Sequence, residues 1–280
     1  MNQFDQFQNA LLLEPIAVNK YRVNLDSRYF VGKTPHGGYL NALMHKALIL
    51  SVPHTVAISS SIQYLNRIEV NDVVLEVEVF KTSKGSSSGL VKLYQDKKIC
   101  TVFNAICSDF EHMKGFDGLL TNPPDLYKNT PKRDYKNLNY DVISPGFTPS
   151  FIHQLSCTVH PNHAWWERDI DEGDAEARCS AYMQMDGGVP DQFVLSFYVD
   201  VAPPVVSNKY GPLGWIPTYS LTTHIRQIPT TEIVFVDFVA KDINKGYFEQ
   251  DCNIWDLNEN LVASSRQLTR ILKSEEKLSK

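Results

Sequence analysis

The sequence predicts an α+β fold in which one enclosed helix followed by a run of antiparallel strands occurs twice. Three observations carry that prediction. Residues 55–110 and 218–272 read as two versions of one unit: Thr55 opens a strand-like run reaching residues 61–65, and Thr218 opens another reaching residues 224–228. Asn104 lies 49 residues beyond Thr55 (104 − 55) and Gln267 lies 49 beyond Thr218 (267 − 218), so the two units match in spacing without a gap. Finally, each half carries a strongly apolar helix signal, followed by segments with strand alternation.

The elements follow in chain order. A short apolar stretch (Leu11–Leu13) and an alternation over Tyr21–Leu25 precede a glycine-rich turn, Thr34-Pro35-His36-Gly37-Gly38. Behind the turn, Leu40, Leu43, Met44, Ala47 and Leu48 fall on one helical stripe, which Pro53 ends. Leu75, Val77 and Val79 alternate with Glu76 and Glu78, the pattern of a half-buried strand. Lys84–Gly89 reads as a turn, and Leu90–Gln95 and Ile99–Ser108 complete a meander with its tip at Asp96–Lys98. Residues 111–150 are rich in Asn, Lys and Tyr and hold Pro123, Pro124, Pro131 and Pro145, a linker composition.

The second half opens with strand signals at Phe151–His160 and Ala177–Met185, then a turn at Asp186-Gly187-Gly188. Gln192–Val201 is apolar nearly all round and reads as an enclosed helix stopped by Pro203-Pro204. Strand signals follow at Tyr219–Gln227, Ile233–Ala240, Phe248–Asp256 and Leu261–Leu272. The expected organisation is an N-terminal unit over 1–120, a linker over 121–149 and a C-terminal unit over 150–280.

The bulk composition narrows the function. The chain has 280 residues, a hydrophobic fraction of 43% and a net charge of −5, which supports a sizeable core and disfavours bulk nucleic-acid binding. It shows no apolar run of membrane-spanning length, no signal-peptide pattern at Met1–Leu12 and no Ser-Lys-Leu ending, so a cytoplasmic location is expected. Five cysteines, each in a strand-like apolar stretch, read as free thiols in a reducing compartment. His153, Cys157, His160 and His163 lack the paired spacing of a metal site, and no metal or cofactor is expected. There is no Gly-x-Ser-x-Gly elbow, P-loop or dinucleotide fingerprint.

Several motifs together resemble the double-hotdog acyl-CoA thioesterases, in the branch related to bacterial acyl-CoA thioesterase II. They are Pro35-His36-Gly37-Gly38-Tyr39-Leu40, Lys84-Gly85-Ser86 leading to Leu93-Tyr94-Gln95, Asp186-Gly187, and the run from Phe197 to Pro204. Trp215-Ile216-Pro217-Thr218, Ile254-Trp255-Asp256 and Leu261–Gln267 complete the set. The resemblance implies a double hotdog, two antiparallel sheets each wrapped around a central helix and joined edge to edge. It also implies that an acid, a hydroxyl and a glutamine hold the hydrolytic water. These fall on Asp200, in the second-half helix, on Thr218 at a strand start and on Gln267 in the last strand. The first half has Asn104 where the second has Gln267, and no acid can be placed in its helix, so the second half is expected to carry the chemistry.

Thioester hydrolysis needs a positioned water, a base and donors for the developing oxyanion. Asp200 in an apolar helix is either that base or a buried carboxylate satisfied by nearby backbone. The turn at His36, Gly37, Gly38 and Tyr39 is the expected substrate-binding element. Its backbone N–H groups at Gly37–Tyr39 either supply the oxyanion donors or simply allow a tight turn into the helix, with His36 lining the site. The expected activity is hydrolysis of acyl-CoA to free acid and CoA, by a homodimer that leaves no sheet edge or face uncovered. The alternatives are a non-catalytic acyl-CoA or acyl-chain binding protein and a thioesterase acting on a carrier-protein thioester.

Overall fold

A computed structural model describes residues 1–69, 71–138, 143, 148–167 and 175–272. Pro145 and the C-terminal residues 273–280, used in the sequence reading, lie outside the described residues. The strands are β1 (Glu14–Ala17), β2 (Lys20–Asn24), β3 (Phe30–Val31), β4 (Thr34–Pro35), β5 (Val56–Tyr64), β6 (Asp72–Thr82), β7 (Ser87–Gln95) and β8 (Lys98–Ser108) in the first half. They continue as β9 (Lys136–Asn137), β10 (Ser156–Val159), β11 (Arg178–Gln184), β12 (Thr218–Ile225), β13 (Val234–Ala240), β14 (Tyr247–Asp256) and β15 (Leu261–Arg270). The helices are α1 (Gln3–Ala10), α2 (Gly37–Ile49), α3 (Asp125–Asn129), α4 (Gln192–Tyr198) and α5 (Ser207–Tyr210).

All strands but β3 and β4 join one sheet of 13, in the order β1-β2-β6-β7-β8-β5-β12-β15-β14-β13-β11-β10-β9. The order is nearly palindromic about the β5–β12 pair: β8 and β15 flank it, then β7 and β14, then β6 and β13. The described residues thus form one continuous sheet rather than two separate ones, joined where Ser220–His224 pair antiparallel with Gln63–Ser59. The sheet wraps α2 and α4, which pack on each other with their apolar residues in a single core cluster spanning both halves.

Local chemistry explains both central helices. His36 caps α2 by accepting the Gly38 N–H on Nδ1 at 3.1 Å. Asp191 caps α4 by accepting the N–H groups of Phe193 and Val194, both at 2.9 Å. Helix α4 ends at Tyr198, so Asp200 lies in the turn beyond it and not within the helix, where the apolar run had suggested. The Asp200 N–H bonds the Phe197 carbonyl at 3.2 Å, tightening that turn before Pro203-Pro204.

Three further segments differ from expectation. Ser150–Gln154 forms a short 3-10 turn and only Ser156–Val159 is a strand, because Pro149 starts a turn that feeds Phe151 into the core. Residues 3–10, too polar to stand out as a core helix, form α1, whose Phe7 is fully buried against Tyr29 and Phe197. The segment expected as plain linker carries α3 and β9. Its Tyr127 and Tyr135 pack on Tyr182, Phe235 and Trp255 as a second apolar cluster on the outer sheet face.

Candidate active site

Asp200, Thr218 and Gln267 come from three separate segments and meet on the wall of one cavity of about 1010 Å³. The turn after α4 delivers Asp200, the first residue of β12 is Thr218, and β15 points Gln267 inward. Gln267 stands opposite Leu221 on one side and Gln250 on the other. Its side chain is 7% exposed, and its Oε1 has no hydrogen-bond partner. A buried carbonyl oxygen left unpaired beside a cavity is costly unless a water or ligand donates to it.

Asp200 faces the turn that starts α2. A Cβ on Gly37 would come within 2.5 Å of Asp200 Oδ2, and one on Gly38 within 2.5 Å of the Phe197 carbonyl oxygen. Only glycine lets these two segments from opposite halves approach so closely. Burial pushes the Asp200 carboxyl up to about 7, while the Gly38 N–H and the Thr218 hydroxyl, which bond its charged form, hold it back. Such a carboxyl is half ionised near neutrality, the range in which a general base works best.

Of the expected substrate-binding residues, His36 and Gly37 line the cavity. Gly38 and Tyr39 are buried behind them: Gly38 turns its N–H to His36, and the Tyr39 hydroxyl donates to the Ala10 carbonyl at 2.9 Å. His36 Nε2 stands 3.9 Å from Asp200 Oδ2. Burial holds the His36 ring down at about 3, so it is neutral and the pair is not an ion pair.

Several wall residues carried no sequence signal. Tyr64 ends β5 and donates from its hydroxyl to the Gly37 carbonyl at 2.8 Å, bracing the glycine turn. Burial, and then the nearby Asp200 charge, push its phenol well up. Gln250 faces inward from β14 and accepts the Val205 N–H at 3.3 Å. Phe151, Trp165 and Phe248 supply apolar wall, and exposed Lys33 and Arg67 stand at the rim. The 2.0 period of β14 and β15 could have flagged Gln250 as a cross-strand neighbour of Gln267; nothing local marks Tyr64.

Among the described residues, no group of three or more His, Cys, Asp or Glu could hold a metal ion. His160 bonds Thr130 at 2.8 Å, and Cys157 is buried with its thiol pushed up to about 12. All five cysteines are free and buried.

The acyl-CoA thioesterase N-terminal domain matches residues 25–108, and the acyl-CoA thioesterase C-terminal domain matches residues 128–271. The chain belongs to the acyl-CoA thioesterase family. The observed sheet and paired helices have counterparts among solved structures. A putative thioesterase II from Thermobifida fusca is 22% identical with a TM-score of 0.80, covering 96% of this chain and 98% of that one. A conserved protein with a hot dog fold from Alicyclobacillus acidocaldarius is 18% identical, with a TM-score of 0.78 over 96% of this chain and 98% of its own. An acyl-CoA thioesterase II from Mycobacterium marinum is 13% identical, with a TM-score of 0.70 over 96% of this chain and 99% of its own. No match was found among curated proteins. These structures share the fold, and the family membership supports acyl-thioester hydrolysis.

Proposed function

We propose that the protein hydrolyses acyl-CoA thioesters to a free carboxylic acid and CoA, with the water held by Asp200, Thr218 and Gln267. The observation that carries this reading is the convergence of those three side chains on one cavity, with the Gln267 carbonyl oxygen buried there and unpaired. Asp200 takes a proton from the water, and Thr218 and Gln267 fix where its oxygen sits. The apolar wall takes the acyl chain. Lys33 and Arg67 at the rim suit a carrier that ends in phosphates, which favours CoA in a chain whose overall charge is −5.

A thiol-release assay over a series of acyl-CoA lengths tests the reading. Turnover at some chain length is expected. Saturable binding without thiol release would indicate the binding protein, and release only from an acylated carrier protein would indicate the other thioesterase. The working form in this reading is a homodimer, and light scattering at micromolar concentration checks it.

A further inference from the structure

Within the proposed cavity the His36 ring is held on several sides. Its Nδ1 accepts the Gly38 N–H at 3.1 Å. One face lies against Phe151, with ring centroids 4.3 Å apart, and Phe197 stands edge-on at 5.3 Å. A backbone N–H can only donate, so Nδ1 carries the lone pair. A neutral imidazole has one N–H, which is therefore on Nε2. The ring is neutral because it is 7% exposed and burial disfavours the imidazolium.

That N–H stands 3.9 Å from Asp200 Oδ2. The separation is too long for a direct hydrogen bond and too short for an atom to sit between the two, but a polar ligand atom in the cavity beside them can stand about 2.8 Å from each. Both side chains line the same cavity. The Gly38 N–H, a backbone donor beside both, is already taken up by His36 Nδ1 and Asp200. Nε2–H, which also has the Asp200 backbone as a partner, is thus a preorganised, uncharged donor on the cavity wall beside the base.

We propose that His36 is a catalytic residue that donates from Nε2–H to the thioester carbonyl oxygen while Asp200 activates the water. The role rests on the hydrolytic reading above. The water O–H proton passes to Asp200 as the water oxygen bonds the carbonyl carbon. The carbonyl π pair moves onto oxygen, where the His36 N–H holds it without transferring its proton. Collapse restores the C=O bond and breaks the C–S bond. The sulfur leaves with that electron pair and takes the proton from Asp200, so acid and thiol are the products. A neutral ring suits this role, because an imidazolium would close onto Asp200 as an ion pair and occupy both groups.

The test compares wild type, His36→Asn and His36→Gln with an acyl-CoA that the wild type turns over. Asparagine can still cap α2 through its side-chain oxygen but is too short to reach the carbonyl. Its kcat should fall on the order of a hundredfold with KM little changed, as for loss of one oxyanion donor. Glutamine, longer and bearing an N–H, should recover part of that loss. A His36→Asn kcat within about threefold of wild type overturns the role while leaving the hydrolytic reading standing. A wild type that releases no thiol from any acyl thioester overturns both. Nitrogen-15 spectra of histidine-labelled wild type give a readout independent of any variant's folding: His36 should be a neutral Nε2–H tautomer at pH 6–8, and an Nδ1–H tautomer or imidazolium there overturns the proposal.

Discussion

Nine residues beyond its N-cap each half of the molecule places a polar side chain, and the two meet opposite fates. Counting from His36 the residue is His45; counting from Asp191 it is Asp200. His45 is sealed in the core at 1% exposure. Its Nε2 accepts the Ala57 N–H at 2.9 Å, so its Nδ1–H donates to the Ser196 hydroxyl at 3.0 Å, which in turn donates to the Gln192 carbonyl. Every polar atom of that ring is used in tying α2 to α4 and β5. Asp200 instead faces a cavity, with its carboxyl raised by burial. A duplicated scaffold can thus hold equivalent polar positions in two ways: satisfied, where the residue stabilises, or left partly unsatisfied, where it is available to a ligand.

The strands draw the same contrast. Asn104 and Gln267 match in sequence spacing, but Asn104 is exposed on the outer face of β8 while Gln267 is buried on the inner face of β15. Inward positions beside Asn104 are taken by Phe103 and Ala105. The β5–β8 and β12–β15 pairings carry the same bulge, after Ala57 and after Thr218. With the bulges aligned the Leu221–Gln267 pair corresponds to Ser60–Ala105, so the structural counterpart of Gln267 is Ala105 and the equal sequence spacing of Asn104 is one residue out of register.

Asp200→Asn should break the contrast most. Turnover should fall by roughly two to four orders of magnitude, the usual worth of a positioned base. The same change should stabilise the protein in alkali. The folded-state pKa of Asp200 lies above its unfolded value, so its contribution is present below about pH 4 and lost as pH rises through about 7. Melting temperatures of Asp200→Asn and wild type should therefore agree below about pH 4, separate progressively between about pH 4 and 7, and stay apart above that, with the variant higher. Equal melting curves at pH 8.5 would mean that burial of the charge costs nothing.

Gln267→Ala should cost on the order of a hundredfold in kcat, and Asn104→Ala little, with both variants keeping wild-type melting behaviour. Equal losses would point to two working sites. His45→Leu gives the smallest effect on turnover: it should lower stability by about 1–3 kcal/mol, because the Ala57 N–H and Ser196 hydroxyl lose their partner, yet leave KM unchanged in folded protein. Denaturant unfolding with parallel kinetics separates the two.

Much of this was legible in the sequence where one rule governed a segment. The first-half strand at Leu75–Val79 alternates because its outer face meets water, and β6 covers it. The two apolar helix signals, the glycine turn and the glutamine of the last strand also lie where the sequence reading put them. The rest depended on contacts distant in sequence. β13 shows no alternation because Tyr127 and Tyr135, from a segment with linker composition, cover its outer face. The apolar run through Val201 hides the end of α4 at Tyr198, since core packing needs apolar residues in the turn as much as in the helix. Tyr64 joins the site only through its bond to Gly37, 27 residues away.

The central claim is that the second half's Asp200, raised by burial, is the single base. The pH dependence of wild-type kcat/KM for an acyl-CoA between pH 5 and 9 tests it most directly. The account predicts a rise of about tenfold per pH unit on the acid side, bending to a plateau at an apparent pKa near 7, as Asp200 ionises. A profile flat across this range, or one whose only limb lies near pH 4, would contradict it.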